Sequence, residues 1–178
     1  MYSGNQAEKR IALIPRVIVQ GKMGLNEYAL LVTDKRSILV LEKGSKSGIA
    51  GALGGAVGAA IANAAASRKS FDYETESPES FANNPKNVVI PHDSLELIQL
   101  KKGMFGSVYR MEVKYQAPNN KRKKIKGFLR PPGEHVKQKK QEGGEGKQIH
   151  FDYAKKVHDV YKQALSPPRY ETVVSTKL

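Results

Sequence analysis

The feature that most constrains the fold is a series of short segments with alternating apolar and polar residues, followed by one helical pattern. A two-residue period places successive side chains on opposite faces of a strand. The predicted strands cover residues 11–20, 27–33, 37–42, 88–90, 95–100, 107–116 and 123–130, and the predicted helix covers residues 150–165. Seven strands closed by one helix predict a mainly β fold with α, an antiparallel barrel or sandwich whose open end the helix plugs.

Turn residues and polar stretches divide this pattern. Pro15 lacks an N–H group, so the first strand is predicted to carry a bulge or to lie at a sheet edge there. Asp34 and Lys35 form a tight reversal, and residues 118–120 form a hairpin turn. Residues 70–86 and 134–147 are polar and are predicted to be flexible loops. The tail, residues 166–178, has no evident partner.

Two segments carry a resemblance to a known family. Residues 31–40, Leu-Val-Thr-Asp-Lys-Arg-Ser-Ile-Leu-Val, resemble the hairpin of the GRAM and bacterial pleckstrin-homology-like (PH-like) families, with Ser37 where an apolar residue is usual. Residues 88–98 resemble the next segment of those families. The resemblance implies a PH-like seven-stranded antiparallel split barrel capped by a C-terminal helix, spanning residues 8–165 with an insert at 48–86. This superfold serves lipid, peptide and protein binders, so it does not fix the function.

The insert begins with a segment made almost entirely of glycine, alanine and aliphatic residues. Residues 48–66 contain no charge. On a helix, Gly48, Gly51, Gly55 and Gly58 share one stripe, which would let a second helix approach closely. Glycine also lowers intrinsic helicity, so such a helix needs something to pack on. The alternatives are a second copy of the chain, giving a homo-oligomer, the barrel itself, or a membrane surface; a full membrane span is disfavoured, because it would separate the strands of one sheet.

A strong positive charge predicts an anionic partner. The net charge is +13, and residues 121–147 contain ten basic and three acidic residues. Such an excess favours anionic lipid headgroups, acidic proteins or nucleic acid. Nucleic acid is the weaker candidate, because Phe128 is the one aromatic residue in the run and single strands stack on aromatics. A solvated charged surface is the alternative. The candidate anion-binding residues are Lys121, Arg122, Lys123, Lys124, Lys126 and Arg130.

No pattern of catalytic or metal-binding residues is evident. The chain has no cysteine, and His92, His135, His150 and His158 are not at close metal-ligand spacing. The glycines after residue 43 contain neither the Gly-x-Gly of a dinucleotide turn nor the Gly-Lys-Ser of a phosphate loop. We therefore expect no enzyme activity, no cofactor and no metal.

These observations favour a non-catalytic binding or adaptor module. It would contact an anionic surface, either lipid headgroups or an acidic protein, through the basic hairpin. It would self-associate or contact membrane through residues 48–66. The alternatives are a structural protein that assembles homo-oligomers and a nucleic-acid-binding protein. The polar N-terminus has no apolar signal core, so we expect a cytoplasmic protein, with peripheral membrane contact as an option.

Overall fold

The computed structural model describes residues 7–21, 24–44, 71–103 and 108–178, and its main element is one mixed eight-stranded sheet. The strands are β1 (Arg10–Gly21), β2 (Gly24–Thr33), β3 (Arg36–Lys43), β4 (Val88–Pro91), β5 (Leu95–Lys102), β6 (Tyr109–Gln116), β7 (Arg122–Leu129) and β8 (Val174–Lys177). The helices are α1 (Pro78–Ala82), α2 (Gly133–Gln141), α3 (Gly146–Ala164) and α4 (Pro167–Val173), and a 3₁₀ helix covers His92–Ser94. The prediction of a mainly β fold with helices is confirmed.

The strand order is β4-β3-β2-β1-β7-β6-β5-β8, so the sheet consists of two antiparallel meanders joined through β1 and β7. Only three residues of β1, Val17 to Val19, pair with β7. The sheet is open, with β4 and β8 at its edges. The observed sheet differs from the predicted seven-stranded antiparallel barrel in three respects: it is not closed, it has an eighth strand, and β8 runs parallel to β5.

Proline explains the irregular path of β1. The pairing of β1 with β2 shifts register between Ile14 and Val17, and Arg16 has a φ of 55°. Pro15 cannot donate to the ladder, so the strand bulges where a hydrogen bond is missing. The carbonyl oxygen of Pro15 instead accepts a hydrogen bond from the Tyr153 hydroxyl of α3. The predicted bulge is confirmed, and it is also an anchor for the long helix.

The main core lies between the inner face of the sheet and α3. That helix contacts β1, β2, β6 and β8, and its buried residues recur at helical spacing. They are Ile149, Tyr153, Ala154, Val157, Val160 and Tyr161. The helix predicted at 150–165 is confirmed, and it begins four residues earlier, at Gly146.

A second, smaller core covers the outer face of the first meander. Leu31, Ile38 and Val40 are buried there against Phe81 of α1. Tyr73 stacks on Phe81 with ring centroids 5.2 Å apart. The side-chain amide of Asn87 joins α1 to β3, because it donates to the carbonyl of Phe81 at 2.8 Å and accepts from the N–H of Leu41 at 3.0 Å. The prediction of a flexible loop is therefore wrong for residues 71–86. The glycine-rich segment 48–66 lies outside the described residues.

The prediction of a second flexible loop, at residues 134–147, is also wrong. It forms α2 and the start of α3, joined by a tight turn. Gly143 has a φ of +87°, and the N–H of Gly144 donates to the carbonyl of Lys139 at 2.8 Å. A Cβ at Gly144 would lie 2.8 Å from that same oxygen, so the turn requires glycine.

The tail, which had no predicted partner, completes the fold through α4 and β8. Val173 is buried in the main core. The guanidinium of Arg169 donates to the carbonyls of His92, at 3.2 Å, and Asp93, at 2.9 Å, and to that of Leu95. This side chain therefore holds the turn between β4 and β5 and places β8 beside β5.

Candidate functional site

The structure brings three of the six predicted anion-binding residues together on one face of β7. Arg122, Lys124 and Lys126 alternate with Ile125 and Gly127, which lie toward the core. By the same alternation Lys123 lies on the opposite face.

Two of the predicted residues lie at the ends of the strand. Lys121 belongs to the hairpin turn before β7. Arg130 follows the far end of β7. It lies near His150 of α3, whose pKa is lowered by burial and by the charge of Arg130. The six residues therefore do not form a single site.

The neighbouring strands add cations that sequence reasoning missed. The register pairs Lys124 with Lys114 and Phe128 with Arg110, and it pairs Lys101 with both Arg110 and Lys177. We call the resulting surface the basic face. Its members are Lys101, Arg110, Lys114, Arg122, Lys124, Lys126 and Lys177. The alternation of β6 was visible in the sequence, but the pairing that aligns it with β5 and β7 was not.

Two carboxylates interrupt the basic face. Glu112 lies 3.1 Å from Lys124 and 3.7 Å from Lys114, and Glu96 lies 3.0 Å from Arg122 at its edge. Burial alone would raise the pKa of Glu112, but the hydrogen bond and charge of Lys124 and the charges of Lys114 and Lys126 outweigh it and hold this pKa below its usual value. Seven cations against two carboxylates leave the surface strongly positive.

The centre of the basic face is shallow. A depression of about 290 Å³ is bordered by Lys101, Arg110, Lys126 and Phe128. The guanidinium of Arg110 lies over the Phe128 ring, 5.7 Å from its centroid, in a cation–π contact. The described residues here therefore form an extended, shallow charged surface.

No protein-family model matches the chain, and no curated protein sequence matches it.

The turn that carries the PH-like resemblance serves a structural purpose. The hydroxyl of Thr33 accepts from the backbone N–H of Arg36 at 2.9 Å, and the Arg36 guanidinium donates to Glu8 at 2.6 Å and also to Glu79. The pKa of Arg36 is raised, chiefly by its hydrogen bond with Glu8. Burial would raise the pKa of Glu8, but hydrogen bonds from Arg36 and Thr33 outweigh it and lower this pKa. Arg36 thus links Glu8 of the N-terminal segment to Glu79 of α1.

A buried polar cluster inside the main core joins three elements. The hydroxyl of Ser37 lies 3.2 Å from Nε2 of His92 and 3.0 Å from the hydroxyl of Tyr161. His92 is 5% exposed, and burial lowers its pKa to about 4. Because all three side chains are buried, a substrate has no access to them, and the cluster holds β3, the 3₁₀ helix and α3 together.

The described residues contain no group of three or more histidine, aspartate or glutamate side chains placed to hold a metal ion. Within those same ranges, every helix is too short or too polar to cross a bilayer. Gly48, Gly51, Gly55 and Gly58, the predicted helix-packing residues, lie outside them.

Proposed function

We propose that this protein is a non-catalytic, PH-like binding module that docks on anionic lipid surfaces through the basic face. The PH-like part of the proposal is supported by the two successive antiparallel meanders, by the neighbouring positions of β1 and β7, and by the long helix α3 across the sheet. It also fits the resemblance of residues 31–40. Fold alone does not select a ligand, so the charged surface carries the functional argument.

The observation that carries this proposal is the contrast between the two outer faces of the sheet. The first meander hides its outer face under Phe81 and its aromatic neighbours. No described residue covers the outer face of β5, β6, β7 and β8, and seven cations lie there. Neighbouring strands are about 4.8 Å apart and alternate residues about 6.7 Å apart, so these charges form a grid that repels itself in the absence of anions.

The shape of the basic face favours a lipid surface over nucleic acid. Single-stranded nucleic acid is bound by aromatic residues on which bases stack, and Phe128 has Arg110 over its ring. A membrane surface requires an open face with cations and a nearby apolar residue. Leu25, 57% exposed, is paired with Gln20, which borders the central depression. An exposed leucine therefore lies beside the charges on the same side of the sheet.

Vesicle flotation tests this function. We expect the protein to float with phosphatidylcholine vesicles that contain about 30% phosphatidylserine, to remain behind with neutral vesicles, and to dissociate as salt is raised. The triple variant Lys114→Gln, Lys124→Gln, Lys126→Gln should weaken binding at least about tenfold, because each lysine near an anionic membrane contributes roughly 1 kcal/mol and Glu112 offsets part of that.

A matched control has the same change in net charge. The variant Lys137→Gln, Lys147→Gln, Lys162→Gln removes three exposed lysines from α2 and α3. Equal weakening by both variants would show that net charge alone drives binding and would contradict the assignment to the basic face. Binding of single-stranded RNA without binding of anionic vesicles would replace the lipid proposal by the nucleic-acid alternative.

A further inference from the structure

A second surface, on the side of the sheet opposite to the basic face, forms a groove between α2, α3 and the bulge of β1. The space measures about 440 Å³, which is within the range of small-molecule sites. Its floor is apolar and consists of Pro15, Ile149 and Tyr153. Ile149 and Tyr153 are 4% and 7% exposed, and the Tyr153 hydroxyl is engaged by the Pro15 carbonyl. The floor is therefore rigid and already formed.

The wall that α2 contributes does not match this floor. A helix that packs on an apolar surface normally presents an apolar stripe to it. Here α2 lines the groove with His135 and Lys139, four residues apart, and it has no buried residue among those described. The side chains that α2 places along the groove are therefore polar or charged, and packing against α3 does not account for them.

The charges around the groove favour an anion with a single negative charge. Lys156 of α3 lines the groove and makes no ion pair within the described residues. Lys139 is paired with Glu142 at 2.8 Å, but an ammonium group has three donors and can serve a second acceptor. Asp152 lines the same groove and accepts from Gln148 at 2.7 Å. After these pairings Lys156 is the one lysine of the groove without an ion pair among the described residues, and a single available cation suits a monoanion better than a dianion.

We propose that this groove binds a small amphiphilic carboxylate, with its hydrocarbon chain on Ile149 and Tyr153 and its carboxylate toward Lys139 and Lys156. Transfer of the hydrocarbon chain from water to the apolar floor is favourable, and the lysines attract the carboxylate head group. An amphiphile contacts both the apolar floor and the lysines. A neutral hydrocarbon would make no contact with the lysine charges, and a small ion would leave the apolar floor exposed to water. The site is separate from the basic face and does not depend on the proposed lipid docking.

Titration of the ¹⁵N-labelled full chain with decanoate, below its micelle concentration, tests this inference. We expect saturable shifts of backbone amides in α2 and in the first half of α3. Acetate, which has the head group alone, should give none. Decanol, which has the chain alone, should bind more weakly. Lys156→Gln should weaken decanoate binding about fivefold and leave decanol binding unchanged, because one partly exposed charge contact is lost.

Lys162→Gln is the matched control, since it removes an exposed lysine from the same helix outside the groove, and it should bind decanoate as the parent does. Equal loss of affinity in Lys156→Gln and Lys162→Gln would overturn the site. So would decanol binding as tight as that of decanoate, shifts confined to β6 and β7, or no saturable shift at millimolar decanoate. The amide spectrum of each variant also reports whether it is folded.

Discussion

The buried His92 should make the stability of this protein fall at mildly acidic pH. Its pKa lies near 4 in the folded protein, against an ordinary value of 6.5, and desolvation is the main cause. Below pH 6.5 the unfolded chain binds a proton that the folded protein excludes. Stability therefore decreases by about 1.4 kcal/mol per pH unit between these two values, and the loss attributable to His92 reaches about 2 kcal/mol at pH 5.

Urea unfolding at pH 7.5 and at pH 5 measures this loss. His92→Gln keeps a polar group that can reach Ser37 but removes the titration, so its stability should change less with pH than that of the parent, by about 2 kcal/mol. The remaining titratable groups are the same in both proteins, so their contributions to the pH dependence of stability cancel in the difference. His135→Gln, at an exposed position, is the control and should follow the parent. An identical pH dependence in the parent and His92→Gln would refute the argument.

Three further outcomes are expected. Phe81→Ala should cost about 3 kcal/mol and should speed hydrogen exchange across residues 71–86; unchanged exchange would mean that this segment does not depend on its aromatic contacts. Arg169→Met should cost about 2 kcal/mol, because it removes the donor from three backbone carbonyls, and its largest effect on exchange should be in β8; protection of β8 equal to that of the parent would contradict the role of Arg169. If residues 48–66 form a close-packed interface between copies, Gly55→Leu should lower the mass measured by light scattering, whereas an unchanged mass would count against self-association through that stripe.

Local rules predicted the elements whose cause lies within a few residues. The bulge at Pro15 follows from a missing donor, and the turn at residues 118–120 ends with Asn120 at a φ of 57°, a conformation that asparagine tolerates. The strand boundaries agree within three residues, and the long helix was evident from its apolar period. In each case the chain nearby contains the whole physical reason.

Elements held by distant contacts were missed. Phe71, Tyr73 and Phe81 are separated by polar residues and show no period, so nothing local marks them as packed. The signal was in their partner: residues 29–32 of β2 are apolar on both faces, which requires a cover on each side. The tail was missed for a similar reason, because β8 pairs with a strand more than seventy residues earlier in the chain.

The sequence located only part of the basic face, because its members come from strands that are distant in sequence. A run of lysines located β7, but which of them share a face depends on alternation, and which cations join them depends on register. Lys101 and Lys177 are 76 positions apart in sequence and are paired neighbours in the sheet. Counting charges along the chain therefore located one strand of the basic face and included Arg130, which lies beyond that strand.

The two edge strands of the described sheet limit how copies of this protein can meet. An exposed strand edge can template pairing with another chain, and natural sheets prevent this with short edges, proline or lysine. Both edges here are only four residues long; β4 ends at Pro91, which has no N–H to donate, and β8 ends at Lys177. Growth of the sheet from one molecule into the next is therefore disfavoured at either edge, which protects a strand-rich chain against fibrous aggregation at high concentration.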